Sequence, residues 1–433
     1  MESAGILARI TLLQPLRVRN FRLLWGGSIL SFVGGQLTMV AFPWLVLKLT
    51  HDPLVMGTVI AVSSIPRALF MILGGAATDR FSPRRVMLWA NWLRTFLMFG
   101  LAAVVYLEVT QIWMIYASAL VFGVIDAFYW PSSFAILPRI LDTEMLPPGN
   151  ALMQGMGQLS MMMGPALAGL IITFFSHDVA AAGDMDGISM VFLIDGSGYI
   201  VSSIALLFIS LELTATEASD EPFTLKSLTR NIVEGIAIVW RDPPVRMVTV
   251  AMTLFSLFFR GPYMVGIPVL CNARFAEGAL AYGLIGSAFG VGSLIGLVCA
   301  GTLPRPPERY YGRLLLLDFL VISGSFFVYA WTPTVTWALL ASALSGVTDG
   351  FISILLISWL QTHVNAELMG RVMGIIMFFN NGMVPVSASI AGALIGLSLN
   401  GVFLGTGAIL VALTLLGAMV PSVRSMGMNK LPG

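Results

Sequence analysis

Residues 123–128 read GVIDAF, and residues 346–351 read GVTDGF. The two stretches share glycine, valine, aspartate and phenylalanine in one frame, at an offset of 223 residues (346 − 123). At the same offset, Gly169 aligns with Gly392. Chance matches are common in apolar sequence, but two aspartates in one frame inside apolar runs are not. This repeated frame therefore predicts that the chain contains two related halves.

The composition of the 433-residue chain requires lipid as its solvent. Hydrophobic residues make up 57% of the chain and charged residues 10%, and the mean hydropathy is +0.89, whereas soluble domains carry about a quarter charged residues. A helix needs about 20 apolar residues to cross a bilayer, and the runs lack the alternation of barrel strands. We predict an all-α integral membrane protein, surrounded by membrane lipids, with twelve spans at 23–47, 54–77, 86–107, 112–137, 151–175, 188–211, 246–270, 281–303, 313–331, 334–358, 371–397 and 401–421.

The distribution of basic residues predicts that both termini are cytoplasmic. With that orientation, only Lys48 and Arg274 fall on the outer side. Basic residues are enriched in cytoplasmic loops, and a net charge of +1 gives no reason to expect nucleic acid as a partner. The inner side holds Arg9, Arg17, Arg19, Arg22, Arg80, Arg84, Arg85, Arg139, Lys226, Arg230, Arg241, Arg246, Arg305, Arg309, Arg313, Arg371, Arg424 and Lys430.

The longest polar interruption divides the spans into two sets of six. We predict an N-terminal six-helix bundle at 1–211, a cytoplasmic linker at 212–245 and a C-terminal six-helix bundle at 246–433. Apolar residues recur at helical spacing in the linker, which indicates a short amphipathic helix on the membrane surface; a plain solvated linker is an equal alternative for its first half. These apolar residues are Leu225, Leu228, Ile232, Ile236 and Val239.

Residues 75–85 read GAATDRFSPRR, between the second and third predicted spans. The matching positions are Gly75, Asp79, Arg80, Arg84 and Arg85, and the stretch resembles the GxxxDRxGRR loop motif of the major facilitator superfamily. The resemblance implies the major facilitator fold, with two pseudo-symmetric six-helix bundles. A carboxylate facing guanidinium groups at the inner mouth fits a cytoplasmic gate. The alternative is that the arginines act only as topology signals.

A second motif lies in the fifth span, where residues 164–169 read GPALAG. Gly164, Pro165 and Gly169 resemble the GPxxxG motif of the antiporter branch of the superfamily, and residues 130–150 resemble the subfamily that includes macrolide and siderophore exporters. One position departs from the pattern of drug–proton antiporters, because Ala119 stands where many of them carry an arginine. Ordinary helix packing is the alternative role for these small residues.

Charged residues inside the spans are the strongest indication of a functional site, because each costs about 3 kcal/mol or more at mid-bilayer unless it faces protein or water. Asp195 is expected to have a structural or outer-gate role. Arg67 and Arg94 are expected to be structural. Asp318 is expected to reach the interface from a span end, and Asn380 with Asn381 is expected either to bind substrate or to join helices.

The resemblance implies that spans one, four, seven and ten line a central cavity. These spans carry Gln36, Asp126, Arg260 and Asp349, respectively. We predict that the three charged residues form a cluster in which Arg260 compensates one aspartate. The other aspartate is then free to take a proton or to bind a cationic group of the substrate, since burial favours the neutral form of a carboxyl group. The alternative is a static polar clamp between helices.

Together, the repeat, the buried charges and the resemblance predict a secondary active exporter in the cell inner (plasma) membrane. Its expected substrates are amphipathic small molecules of drug, macrolide or siderophore type, and its expected driving force is a proton gradient. The chain contains no GxxxxGK[S/T] sequence, so we do not expect ATP-driven transport. No metal cluster or nucleophile–base pair stands out in the sequence, so we expect no cofactor, no metal and no enzymatic activity. The expected working form is a monomer. The alternatives are a non-transporting receptor or sensor on the same scaffold, and an importer or lipid flippase.

Overall fold

The structure is a computed structural model. It describes residues 13–176, 184–210, 236–237, 239–304, 306–364 and 366–420. Most of the predicted amphipathic helix in the linker lies outside these residues. Of the loop motif, the side chains of Asp79 and Arg80 and the surroundings of Gly75 also lie outside the described part of the chain.

Twelve helices of the described residues are long and apolar enough to cross a membrane. The prediction of an all-α membrane protein with twelve spans is confirmed. The helices are α1 Arg19–Thr50, α2 Pro53–Phe81, α3 Pro83–Tyr106, α4 Ile112–Ala135, α5 Leu146–Phe175, α6 Asp184–Leu207, α7 Pro243–Arg274, α8 Ala279–Thr302, α9 Tyr311–Trp331, α10 Val335–His363, α11 Ala366–Ile395 and α12 Leu399–Met419. Short 3₁₀ turns lie at Gln14–Arg17, Leu137–Arg139, Thr143–Met145 and Glu308–Tyr310.

The helices divide into two compact units. The first unit comprises Met1–Leu49 and Ile65–Pro222, and the second comprises Thr50–Ser64 and Phe223–Gly433. Helix α2 therefore contributes to both units, and its division falls next to Pro66, a proline inside the helix. A proline removes a backbone donor and clashes with the preceding turn, so it weakens the helix at this point.

Proline and aspartate together define where two of the spans begin. Pro53 opens α2, and the Asp52 carboxylate accepts a hydrogen bond from the Leu54 amide at 2.8 Å. Pro243 opens α7 after Asp242, whose carboxylate accepts from the Val245 amide. Proline suits the first helical turn because that turn has no carbonyl partner for its N–H groups. An aspartate before it satisfies one of the remaining donors.

Glycines of the repeated frame bring α8 and α10 into backbone contact. A Cβ atom at Gly346 would overlap the Phe289 carbonyl, and one at Gly350 would overlap the Ser293 carbonyl. From the other side, Gly292 and Gly296 of α8 meet the carbonyl groups of α10 in the same way. Small residues four apart on both helices allow the backbones to approach closely, which is how helices associate in lipid.

We expect Gly346→Ala to destabilise the protein by about 1–3 kcal/mol, since the new methyl group has no space at the seam between α8 and α10. The measurement is thermal unfolding of the purified protein in detergent. The matched control is Gly324→Ala in α9, where a Cβ atom meets nothing within 4 Å. Removing a helix-interior glycine there should be neutral or stabilising by up to about 1 kcal/mol. Equal effects of the two substitutions would contradict the prediction.

Candidate functional site

The first unit holds Asp126 between two arginines. Asp126 lies in α4, in the repeated frame, and its Oδ2 atom is 3.0 Å from the Arg67 guanidinium of α2. Its Oδ1 atom accepts a hydrogen bond from the Arg94 guanidinium of α3. The three helices are thus joined by one carboxylate. Within the first unit, Arg67 and Arg94 compensate the charge of Asp126. The cluster of Asp126 with Arg260 and Asp349 stays a prediction.

The Arg94 guanidinium is buried, with its side chain only 7% exposed. Its central carbon lies 4.2 Å from the ring centre of Tyr129 and 5.3 Å from that of Tyr199. Aromatic faces attract a cation more strongly when water is excluded. A charge in this position is stabilised by Asp126 and two ring faces together, so it does not reach towards the membrane surface.

Asp195 lies midway along α6 and is fully buried. Its Oδ2 atom accepts a hydrogen bond of 2.5 Å from the Thr38 hydroxyl of α1. The carboxyl packs so tightly against α1 that a Cβ atom at Gly34 would overlap it. Among the described residues, Oδ1 of Asp195 has no hydrogen-bond partner. The side chain therefore joins α6 to α1 inside the first unit.

Helix α7 of the second unit contains a π-helical turn at Ser256–Arg260. Pro262 follows it and would clash with the carbonyl four residues earlier in a regular α-helix. The Ser387 hydroxyl of α11 bridges the turn: it donates to the Leu257 carbonyl at 2.5 Å and accepts from the Gly261 amide at 2.7 Å. Single π turns are frequent at functional sites, and this one carries Arg260.

Asn380 of α11 bonds to the same part of α7. Its side-chain amide donates to the Met252 carbonyl. Its backbone carbonyl accepts from the Ser256 hydroxyl at 2.6 Å. Its side-chain Oδ1 atom accepts a hydrogen bond from the Arg260 guanidinium at 3.4 Å. Of the two roles left open for Asn380, the structure thus shows helix joining. Arg260 interacts electrostatically with Asp349 of α10, although no direct ion pair joins them in the part of the chain described.

Asp318 is the residue that the sequence analysis misplaced. The expectation that it reaches the membrane interface was wrong, because it is 3% exposed and lies on the inner face of α9. Asp349 is the strongest charged neighbour of its carboxyl group. Its Oδ1 atom has no hydrogen-bond partner among the described residues. The offset between Arg94 and Asp318, 224 residues (318 − 94), nearly equals that of the repeated frame and could have revealed the position.

The loop motif contributes a described contact within the first unit. The Arg84 guanidinium donates to the Leu206 and Leu207 carbonyls, both at 2.7 Å. Arginine at this point satisfies carbonyl groups that the end of α6 leaves unpaired and complements the helix dipole. Arg85 is exposed. The gate itself stays a prediction.

Gln36 and the motif in α5 are brought together. A Cβ atom at Gly164 would overlap the Gln36 side chain of α1, so the two helices touch at this glycine. Pro165 and Gly169 are buried. A small residue at the point of closest approach is what packing between membrane helices requires. Gln36 is half-buried, and its role in a cavity stays a prediction.

The family sequence model of the Major Facilitator Superfamily matches residues 24–389. The chain belongs to this superfamily. Among similar proteins, the multidrug efflux pump Tap of Mycolicibacterium fortuitum is 24% identical over 96% of this chain and 98% of its own length. Macrolide efflux protein A of Streptococcus pyogenes is 20% identical over 95% of this chain and 98% of its own.

Solved structures of superfamily members share the fold. The nucleoside transporter NupG superposes with a TM-score of 0.70 at 13% identity, covering 92% of this chain and 98% of its own. A bacterial homologue of the iron transporter ferroportin, in an inward-facing state, gives 0.68 at 15% identity, covering 94% and 99%. The major facilitator fold predicted from the loop motif is therefore confirmed, and the protein is a multi-pass membrane transporter.

We expect Arg94→Met to destabilise the first unit by about 3–5 kcal/mol, the range for removing one partner of a buried ion pair. The Asp126 carboxylate would then keep only the half-exposed Arg67 as its partner. Thermal unfolding in detergent measures the loss. The Asp126→Asn single variant and the double variant complete a mutant cycle, in which the double variant should cost less than the sum of the two. Additive losses would show that the contact does not couple the residues.

Proposed function

We propose that this transporter is a secondary active exporter of amphipathic small molecules, driven by a proton gradient. The observation that carries the proposal is the set of charges inside its spans, above all Arg260, Asp318 and Asp349 of the second unit. Charges at this depth are costly, and in membrane proteins they mark substrate and ion pathways. A fold that needed only stability in lipid would use apolar side chains at these positions.

The similar proteins support both the proposed direction of transport, export, and the proposed class of substrate. One is a multidrug efflux pump and another a macrolide efflux protein, and both match along nearly their whole length. Macrolide and drug molecules combine a large apolar surface with few polar groups. A transporter with apolar helices and a small number of buried charges complements that chemistry. We propose the same amphipathic class for this chain, with siderophore-like molecules as a further member.

Alternating access between the two six-helix bundles is the proposed mechanism. The π turn of α7, where the α-helical hydrogen-bond pattern is interrupted, supports this mechanism, since a π turn followed by Pro262 is a place where a helix bends at low cost. We propose that the loop motif at Gly75, Asp79, Arg80, Arg84 and Arg85 forms a cytoplasmic gate. The Arg84 contacts with the end of α6 supply a fixed support on one side of it.

The proposed location is the cell inner membrane with both termini in the cytoplasm. The excess of arginine and lysine on one side of the spans supports this orientation. The proposed working form is a monomer, because each unit contains its own cluster of buried charges.

The test is flux in proteoliposomes with an imposed pH gradient, over a panel of erythromycin, ethidium and a hydroxamate siderophore. We expect the purified protein to move at least one of these against its concentration gradient, and to stop when the pH gradient is dissipated. Binding without flux would favour the receptor alternative, and flux only down a concentration gradient would refute proton coupling.

Neutralising the second unit's aspartate is expected to uncouple transport. Asp349→Asn should abolish accumulation of the transported compound under a pH gradient, because the variant removes the carboxyl group that interacts with Arg260. Flux of the same compound across the same vesicles is the measurement, with Gly324→Ala as a control outside both charge clusters. Accumulation by Asp349→Asn at the rate of the unmodified protein would contradict a role of Asp349 in proton coupling.

A further inference from the structure

The two units use the same helix pair differently. In the first unit, Arg94 of α3 pairs with Asp126 of α4. In the second unit, Asp349 of α10 stands at the frame position of Asp126, and α9 carries Asp318 one residue beyond the frame position of Arg94. A carboxyl group thus replaces a guanidinium group beside the repeated aspartate.

The helix register brings the two carboxyl groups of the second unit together. The Ser325 hydroxyl of α9 and the Ser345 hydroxyl of α10 are hydrogen-bonded at 2.7 Å, which fixes the level of two antiparallel helices. Asp318 precedes Ser325 by two turns and Asp349 follows Ser345 by about one turn, each on the face of the bonded serine. Both carboxyl groups therefore face the seam between α9 and α10.

The charges around this pair do not balance without a proton. Asp318 of α9 and Asp349 of α10 interact electrostatically, and Arg260 of α7 interacts electrostatically with Asp349. Helix α12, which also packs against α9, carries no titratable side chain. Two carboxylates and one guanidinium leave one uncompensated negative charge. Asp318 is 3% exposed and Asp349 is half-buried, and an unpaired charge inside a span is costly. One bound proton removes that charge, and a carboxyl group binds a proton more tightly when a second carboxylate lies near it.

We propose that Asp318 and Asp349 form the proton-binding site of this transporter, and that Asp126 does not carry the proton. The unpartnered Oδ1 atom of Asp318, in a side chain that is 97% buried, supplies a site for the proton. Asp126, in contrast, has both carboxyl oxygens paired with guanidinium groups, those of Arg67 and Arg94. The proton binds the Asp318–Asp349 pair from water and later returns to water as the same species, so no other reactant is needed. This inference rests on the proposed proton-coupled export.

The transport test compares two modes in proteoliposomes with radiolabelled erythromycin. For one proton exchanged per molecule, one pH unit sustains a concentration ratio of about tenfold. We expect Asp318→Asn to lower that ratio to about one while it still exchanges labelled for unlabelled erythromycin at equal pH. The control Ser323→Ala removes a buried hydroxyl that donates to the Gly407 carbonyl from the same helix, and should keep the tenfold ratio. An Asp318→Asn protein that still accumulates erythromycin tenfold overturns the proposal.

A second measurement detects the proton without any substrate. Infrared difference spectra between about pH 6 and about pH 8, a range in which exposed carboxyl groups stay ionised because their pKa is about 4, report the C=O stretch of protonated buried carboxyl groups and its shift in heavy water. The measurement uses Asp195→Asn protein, which removes the buried carboxyl group of the first unit. We expect the band to be present there and absent after the further substitution Asp318→Asn, because Asp349 then has Arg260 as its partner without a competing carboxylate.

The two measurements separate the proposals. If the unmodified protein moves none of the panel compounds, the export proposal fails and the infrared band still decides the proton site. A protein that transports erythromycin but shows the same band with and without Asp318 keeps the export function and loses this proton site. An Asp318→Asn protein that does not fold leaves the Asp195→Asn spectrum as the test, and the absence of a protonated-carboxyl band in it overturns the proposal.

Discussion

The pairing of charge in hydrocarbon is the constraint on which both units depend. An isolated aspartate or arginine in a spanning helix costs several kcal/mol, so each such residue fixes the position of its partner. Asp126 holds α2 and α3 to α4 through Arg67 and Arg94. In the second unit, Arg260 holds a similar place between α11, through Asn380, and α10, through Asp349.

Close backbone packing makes those pairings geometrically feasible. The repeated frame supplies the aspartate and a small neighbour on adjoining faces of one helix. In α10, Gly350 meets the carbonyl of Ser293 on α8, while the half-buried Asp349 interacts with Arg260. In α4, the carbonyl of Ala127 meets Gly74 of α2, and Asp126 reaches Arg67 of the same helix. One short stretch thus determines a helix contact and a charge contact together.

The helices and the charged residues of this site could be predicted from the sequence, whereas the partners of those charged residues could not. The spans, the repeat and the family followed from hydropathy, one recurring frame and one loop motif, because each depends on local pattern. The ion pair of Asp126 with Arg94 depends on how α3 and α4 are rotated against each other, which apolar spans without a polar face do not encode. Asp318 was misplaced because its distance from a span end was taken as its depth, whereas its burial depends on the neighbouring helices.

Duplication of a helix bundle yields two similar charge sites, and a change in one of them gives the pair different properties. With arginine beside the repeated aspartate, the first unit has both oxygens of its carboxyl group paired with guanidinium groups. With Asp318 in that place, the second unit has one negative charge too many and one arginine, Arg260, on an irregular turn. A site that must bind a proton to balance its charges can couple that proton to helix movement. A site whose charges are already paired holds its helices together.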